Sequence, residues 1–157
     1  MLSFLRHLNS LINIHGLSDD HRQLVFYSEG RNYWVHLEGL IKQVLASSNV
    51  SICFLTSSTD DPGLYFEHAN FRSYEIGDGF ARDWIFANID AAVMVMSTPD
   101  LHQYQVKKSR HDVHYIYVQH SLVSLHMVYR PKAFEHYNTI FCAGPHHLME
   151  MRTMEKL

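Results

Sequence analysis

The residue best placed to do chemistry is a histidine that follows an apolar run. His120 comes directly after the apolar and aromatic stretch 114–119, and the small residue Ser121 follows it. An imidazole titrates near neutral pH, so a histidine in this place can take a proton from an attacking hydroxyl group. The alternative is a structural histidine whose ring is hydrogen-bonded to the backbone. Position alone leaves both interpretations open.

Small, polar or ionisable residues also follow the other apolar runs. They are Ser28-Glu29-Gly30, Thr56-Ser57-Ser58, Gly77-Asp78-Gly79, Ser97-Thr98 and Gly144-Pro145-His146-His147. If the runs are strands of an open parallel sheet, these residues line the edge at which such sheets bind ligands. Helices that begin after these loops are compatible with a phosphate-bearing ligand, because their free N–H groups favour anions. Polar loops at strand ends are also common without any function.

No motif supports several more specific chemistries. Gly77-x-Gly79 lacks the third glycine of the dinucleotide-binding pattern, and the chain has neither a P-loop nor a GxSxG nucleophile turn. His146-His147 and His111-x-x-His114 do not match an established zinc-ligand pattern. We therefore expect no cofactor and no bound metal.

Apolar runs and helical patterns indicate the elements that position these residues. The predicted strands are 23–28, 50–55, 71–76, 91–96, 114–119 and 138–143. The predicted helices are 2–14, 33–46, 64–70, 80–88, one that starts at 97–100, 133–137 and 144–156, with a polar connector at 18–22. Short apolar strands that alternate with helices are typical of a parallel sheet covered on both faces. The sequence thus predicts an α/β fold of the Rossmann type.

The composition is that of one globular domain. The chain has 157 residues, of which 46% are apolar and 18% charged, with a formal net charge of -3. Because there is no basic stripe, no nucleic-acid partner is expected. Cys53 and Cys142 lie in apolar runs and are predicted to be reduced thiols of the core. No apolar run approaches a membrane span and no signal peptide is recognisable, so the predicted compartment is the cytoplasm.

Two stretches, YIYVQHSLVSLHMVYR at 115–130 and FEHYNTIFCAGPHH at 134–147, resemble the CDP-glycerol glycerophosphotransferase family. The family contains polymerases and primases of the teichoic-acid type and their relatives in capsule and surface-polysaccharide synthesis. LVFYSEGRNYW at 24–34 and DDPG at 60–63 are similar to the same group. The resemblance covers about residues 23–152 and is most specific between His120 and His147.

The resemblance implies a glycosyltransferase-B architecture, in which two Rossmann-like domains face a cleft. The N-terminal domain holds the acceptor and a histidine that acts as general base, and His120 matches that position. Ser121 stands where a glycine is common in the family, and Ser121, Glu29 and Gly30 are expected to bind substrate nearby. The implied reaction is attack of an acceptor hydroxyl on the β-phosphate of CDP-glycerol, which yields a phosphodiester and CMP.

The resemblance also sets expectations about domains and partners. Residues 1–22 are interpreted as an N-terminal helix and connector, and residues 23–157 as the acceptor-side domain. The domain that binds the CDP-glycerol donor would lie outside these residues, and the chain alone would be inactive or nearly so. The expected acceptor is a polyol phosphate or a glycan; lipid linkage and peripheral contact with the inner face of the cell membrane are left open.

Two other functions fit the same pattern of elements. One is the N-terminal domain of a different glycosyltransferase-B or nucleotide-sugar enzyme, which a screen of donors would separate. The other is a non-catalytic Rossmann-like binding module. The length of a single domain favours this module, whereas the His120-Ser121 loop disfavours it.

Overall fold

The computed structural model describes residues 12–14, 16–103 and 106–155, and a six-stranded sheet forms its centre. The strands are β1 (Leu24–Ser28), β2 (Ile52–Thr56), β3 (Phe71–Glu75), β4 (Val93–Met96), β5 (His114–Val118) and β6 (Thr139–Phe141). They lie in the order β3-β2-β1-β4-β5-β6, and every neighbouring pair is parallel. This is the strand order of the doubly wound Rossmann fold. The predicted α/β fold is confirmed.

The helices follow the strands and cover both faces of the sheet. They are α1 (Asp19–Arg22), α2 (Trp34–Ser47), α3 (Phe80–Asn88), α4 (Leu125–Val128) and α5 (Pro145–Met154), with a 3-10 turn at Pro62–Tyr65. Buried residues of α2 recur at helical spacing, at Trp34, Leu37, Ile41 and Leu45. Within the described residues, none of the helices combines the length and the apolarity that crossing a bilayer requires.

Side chains of each strand alternate between two apolar cores, because successive residues of a strand point to opposite faces. In β1, Phe26 packs with the buried residues of α2, whereas Val25 and Tyr27 pack with Ile85 and Phe86 of α3. A third, smaller cluster under β5 and β6 contains Tyr117, Ala133 and Phe134. The central strands β1, β2 and β4 are therefore buried on both faces of the sheet, which explains why their sequences are continuous apolar runs.

Two predicted helices are wrong because the backbone takes a left-handed conformation there. Asp100 and His102 have φ of 59° and 69°, so no helix forms within 97–103 after β4. The N–H of Asp100 instead donates to the carbonyl of Ala133 at 2.9 Å. Lys132 has φ of 69°, and residues 133–137 form turns rather than a helix. After β4 a long-range backbone bond thus replaces local helical ones, whereas residues near 133–137 form local turn bonds.

Two further differences concern short segments. The predicted helix 64–70 is wrong: a 3-10 turn at Pro62–Tyr65 ends at Phe66, which is extended. The predicted connector 18–22 contains a single helical turn, α1, which has two acidic residues in its first turn. The predicted helix 2–14 lies outside the described residues except for 12–14, which are helical.

We expect opposite effects from two Gly→Ala substitutions. At Gly63 a Cβ would lie 2.4 Å from Cε1 of Phe54 and 2.8 Å from Cε3 of Trp34, both buried, so Gly63→Ala should destabilise the fold by about 3 kcal/mol. Gly39 lies in α2 with nothing within 4 Å of a Cβ, so Gly39→Ala should stabilise it by about 1 kcal/mol. Urea unfolding of both variants measures the difference, and equal effects would contradict this packing.

Candidate functional site

A cleft of about 740 Å³ opens at the carboxyl end of the sheet. Its lining comes from residues at or beyond the ends of β1 to β5, and it spans the place where β1 and β4 are neighbours. The chain leaves β1 for α2 on one face, whereas after β4 it enters the core of the other face through Leu101 and Val106. Open α/β sheets bind ligands at such a switch point. The lining residues most relevant to chemistry are Glu29, Tyr33, Asp78, Arg82, His120 and Tyr129.

A buried carboxylate joins the ends of β1 and β2 below the cleft. Asp61 Oδ2 accepts hydrogen bonds from Ser28 Oγ at 2.6 Å and from Thr56 Oγ1 at 2.8 Å. Its Oδ1 accepts a third bond from the N–H of Gly63 at 2.9 Å. All four residues are buried, so these bonds replace the water that the carboxylate has lost. The network fixes the positions from which the chain turns into the cleft after both strands.

Gly30 shapes the turn that follows β1. Its φ is 151°, and a Cβ at this position would lie 3.0 Å from the Cβ of Ser58. The N–H of Gly30 donates to Ser28 Oγ at 3.2 Å, and Ser28 Oγ lies 3.0 Å from the Gly30 carbonyl oxygen. Gly30 therefore acts through its backbone and does not itself line the cleft.

His120 follows β5, lines the cleft and packs against two other rings. Its ring centroid lies 5.8 Å from that of Tyr33 and 5.2 Å from that of His36. Burial, and next the charge of His36, lower the pKa of His120, while Glu29 and the Val118 backbone oppose this shift. A lowered pKa leaves the imidazole neutral at pH 7, and the neutral form is the one that accepts a proton.

The two ring nitrogens of His120 have different surroundings. Nδ1 is buried and makes no hydrogen bond of normal geometry with any residue that the structure describes. The backbone of Val118 is near enough to favour the protonated ring but forms no such bond with Nδ1. Nε2 is then the nitrogen that can reach a ligand. A proton on Nδ1 would leave the lone pair on Nε2, which is the tautomer that a general base needs.

Glu29 and two tyrosines lie near His120 in the cleft. The charge of the Glu29 carboxylate, and next burial, raise the pKa of Tyr33. The hydroxyl of Tyr129 lies 3.2 Å from that of Tyr117, which is buried beneath it. A carboxylate and phenol groups beside an imidazole supply acceptors and donors for the hydroxyl groups of a ligand.

The charge of the cleft is mainly negative. Its buried guanidinium, Arg82, donates from Nε and Nη2 to Oδ1 of Asp83 at 3.0 and 2.9 Å. Asp100 is paired in the same way, with Arg130 at 2.8 Å. Glu29 and Asp78 form no ion pair with a described residue, so they leave the cleft acidic. An acidic cleft favours a neutral ligand with many hydroxyl donors over an anion.

The sequence-predicted site residues occupy different parts of this region. Glu29 and His120 both line the cleft, whereas Gly30 and Ser121 do not. Ser121 contributes its carbonyl, which accepts a hydrogen bond from Nε2 of Gln119 at 2.6 Å. The structure thus brings Glu29 and His120 together and places Gly30 and Ser121 in the adjoining turns.

The neighbouring histidines 146 and 147 lie apart from the cleft lining. Their ring centroids are 4.0 Å apart, and the buried His147 is bonded through Nε2 to the carbonyl of Val123 at 3.2 Å. Among the described residues, no three His, Cys, Asp or Glu side chains are grouped as a metal site would need.

Sequence reasoning missed Tyr33, His36, Arg82 and Tyr129. Tyr33 precedes α2, His36 lies in its first turn and Arg82 lies in the first turn of α3. They looked like ordinary positions of helices, and Tyr129 looked like part of a loop. A usable signal existed for Tyr33, His36 and Arg82. A helix that follows a parallel strand begins at the ligand-binding edge of the sheet, so its first turn faces that edge.

No protein-family model matches this chain, and no curated protein or solved structure matches it. The functional argument therefore depends on the chemistry of the cleft.

We expect Asp61→Ala to destabilise the protein by at least about 3 kcal/mol, because two hydroxyls and one N–H lose a charged acceptor in a buried place. Asp60→Asn is the matched control: this neighbour is exposed, and its ion pair with Arg31, at 3.9 Å, contributes under about 1 kcal/mol. Urea unfolding compares the two variants. Similar midpoints for both would show that the Asp61 network does not hold the strand ends.

Proposed function

We propose that this chain is the acceptor-side domain of a glycerophosphotransferase, which moves glycerol phosphate from CDP-glycerol to a hydroxyl group in cell-surface polymer synthesis. The observation that carries the proposal is the place of His120, an imidazole with a lowered pKa in the cleft at the carboxyl end of the sheet. The resemblance of residues 115–147 to the CDP-glycerol glycerophosphotransferase family supports it.

In the proposed reaction, the acceptor oxygen attacks the phosphorus atom that carries glycerol. A new P–O bond forms, the P–O bond to CMP breaks, and CMP leaves with the electron pair of that bond. Nε2 of His120 takes the proton of the attacking hydroxyl. General-base catalysis of this kind contributes about 10²–10⁴-fold to the rate.

The acidity of the cleft supports an acceptor that is recognised through hydroxyl groups. Glu29 can accept hydrogen bonds from a polyol or a glycan, and Tyr33 and Tyr129 add phenol groups to the same part of the lining. The two phosphates of CDP-glycerol need cations, and the guanidinium that the described residues contribute to the lining, Arg82, is already paired with Asp83. The proposal therefore assigns the donor to a second α/β domain. The family resemblance further implies a lipid-linked acceptor at the inner face of the cell membrane.

We expect His120→Ala to reduce transfer at least about 100-fold, because the attacking hydroxyl loses its base. The assay measures CMP release from CDP-glycerol with a polyol-phosphate or glycan acceptor. It uses the full enzyme of which this chain is the proposed acceptor-side domain. His114→Ala is the matched control: His114 is exposed at the other end of β5, bonded to Thr139, and its loss should leave the rate unchanged.

Unchanged CMP release in the His120→Ala protein would remove this residue from the mechanism. Transfer from a nucleotide sugar in place of CDP-glycerol would keep the role of His120 but replace the donor, and so assign the chain to a different transferase. Acceptor binding with no transfer from any donor would favour a binding module.

The rate should also report the pKa of His120. A base works only while it is neutral, so lowering the pKa extends activity to lower pH. We expect kcat/KM to fall with decreasing pH at a midpoint below the ordinary histidine value of about 6.5. The CMP-release assay, repeated at a series of pH values between about pH 4 and pH 8, tests this. A midpoint of kcat/KM above about 6.5 would contradict a buried neutral base.

A further inference from the structure

Two aromatic rings contact the imidazole of His120. In catalytic triads a carboxylate accepts a hydrogen bond from Nδ1 and so fixes the orientation and the tautomer of the histidine. Nδ1 of His120 is buried without such a partner among the described residues. Tyr33 and His36 instead contact its ring, with angles between the ring planes of 64° and 50°. Tilted contacts of this kind are the favoured geometry of aromatic pairs.

Both contacting residues come from the beginning of α2. Tyr33 is the residue before the helix and His36 is three positions later, so their side chains project from one side of its first turn. Trp34 and Leu37, which alternate with them, are buried in the core. The pair therefore sits on an element whose position is fixed by packing, as a group that must orient another ring requires.

We propose that Tyr33 and His36 are positioning residues for the general base, and that His36 also acts on His120 through the charge of the ring that contacts it. The inference rests on the proposed function, because a base is needed only for a reaction. It concerns the part that α2 contributes to the site, which the family resemblance of residues 115–147 does not address.

The charges around His120 make a direct test possible. The titratable groups that face it are Glu29 after β1, Tyr33 and His36 at the start of α2, and Tyr129 after α4. A protonated His36 disfavours a proton on His120, whereas Glu29 favours one.

The experiment is an NMR titration of the histidine rings in this chain. His36→Phe keeps a ring but removes the charge, so the pKa of His120 should rise while the NOE between the His120 and Tyr33 rings is retained. His36→Ala also removes the ring, so the same rise should come with a weaker NOE. His68→Phe is the control, because His68 is exposed before β3 at the opposite edge of the sheet and should leave His120 unchanged.

An unchanged His120 titration in His36→Phe would overturn the inference. The failure of the proposed function is a separate result, namely unchanged CMP release in His120→Ala. In the transfer assay, His36→Phe should move the acid limb of the pH profile upward, and His36→Ala should in addition lower kcat.

Discussion

Asp61 is fully buried, and its carboxylate binds the ends of β1 and β2 to the turn that precedes β3. A desolvated carboxylate is stable in such a place only while its donors stay in position, so the strand ends and the turn hold one another. The cleft depends on this arrangement. Glu29 follows Ser28 directly and lines the cleft.

The cleft combines a histidine whose pKa is lowered with an acidic lining, and the fold produces both properties. Burial at the strand end lowers the pKa of His120, and the first turn of α2 brings His36 against the same ring. Arg82 and Asp100 are neutralised by their own partners, so Glu29 and Asp78 determine the charge that a ligand meets. Such a site suits the deprotonation of a hydroxyl group and is poorly suited to holding a diphosphate.

The sequence predicted what depends on periodicity and missed what depends on long-range contacts. The six strands and helices α2, α3 and α5 read correctly, because buried runs and helical stripes reflect which face each residue packs against. The predicted helix after β4 is wrong, because Asp100 has a left-handed backbone and its N–H donates to the carbonyl of Ala133. A partner so distant in the sequence is not visible in a local sequence pattern. His120 and Glu29 could be found from their places after strands. His36 and Arg82 lie in the first turns of α2 and α3, and the strand that precedes each helix, not the apolar stripe of the helix, places them near the cleft.

The central claim is that an acceptor hydroxyl meets His120 in this cleft. The most direct measurement is a crystal structure of the chain with a polyol or glycan acceptor bound. The account predicts a hydroxyl oxygen about 2.6–3.2 Å from Nε2 of His120, with further hydroxyls hydrogen-bonded to Glu29. An acceptor bound away from His120, with no hydroxyl oxygen near Nε2, would contradict the account.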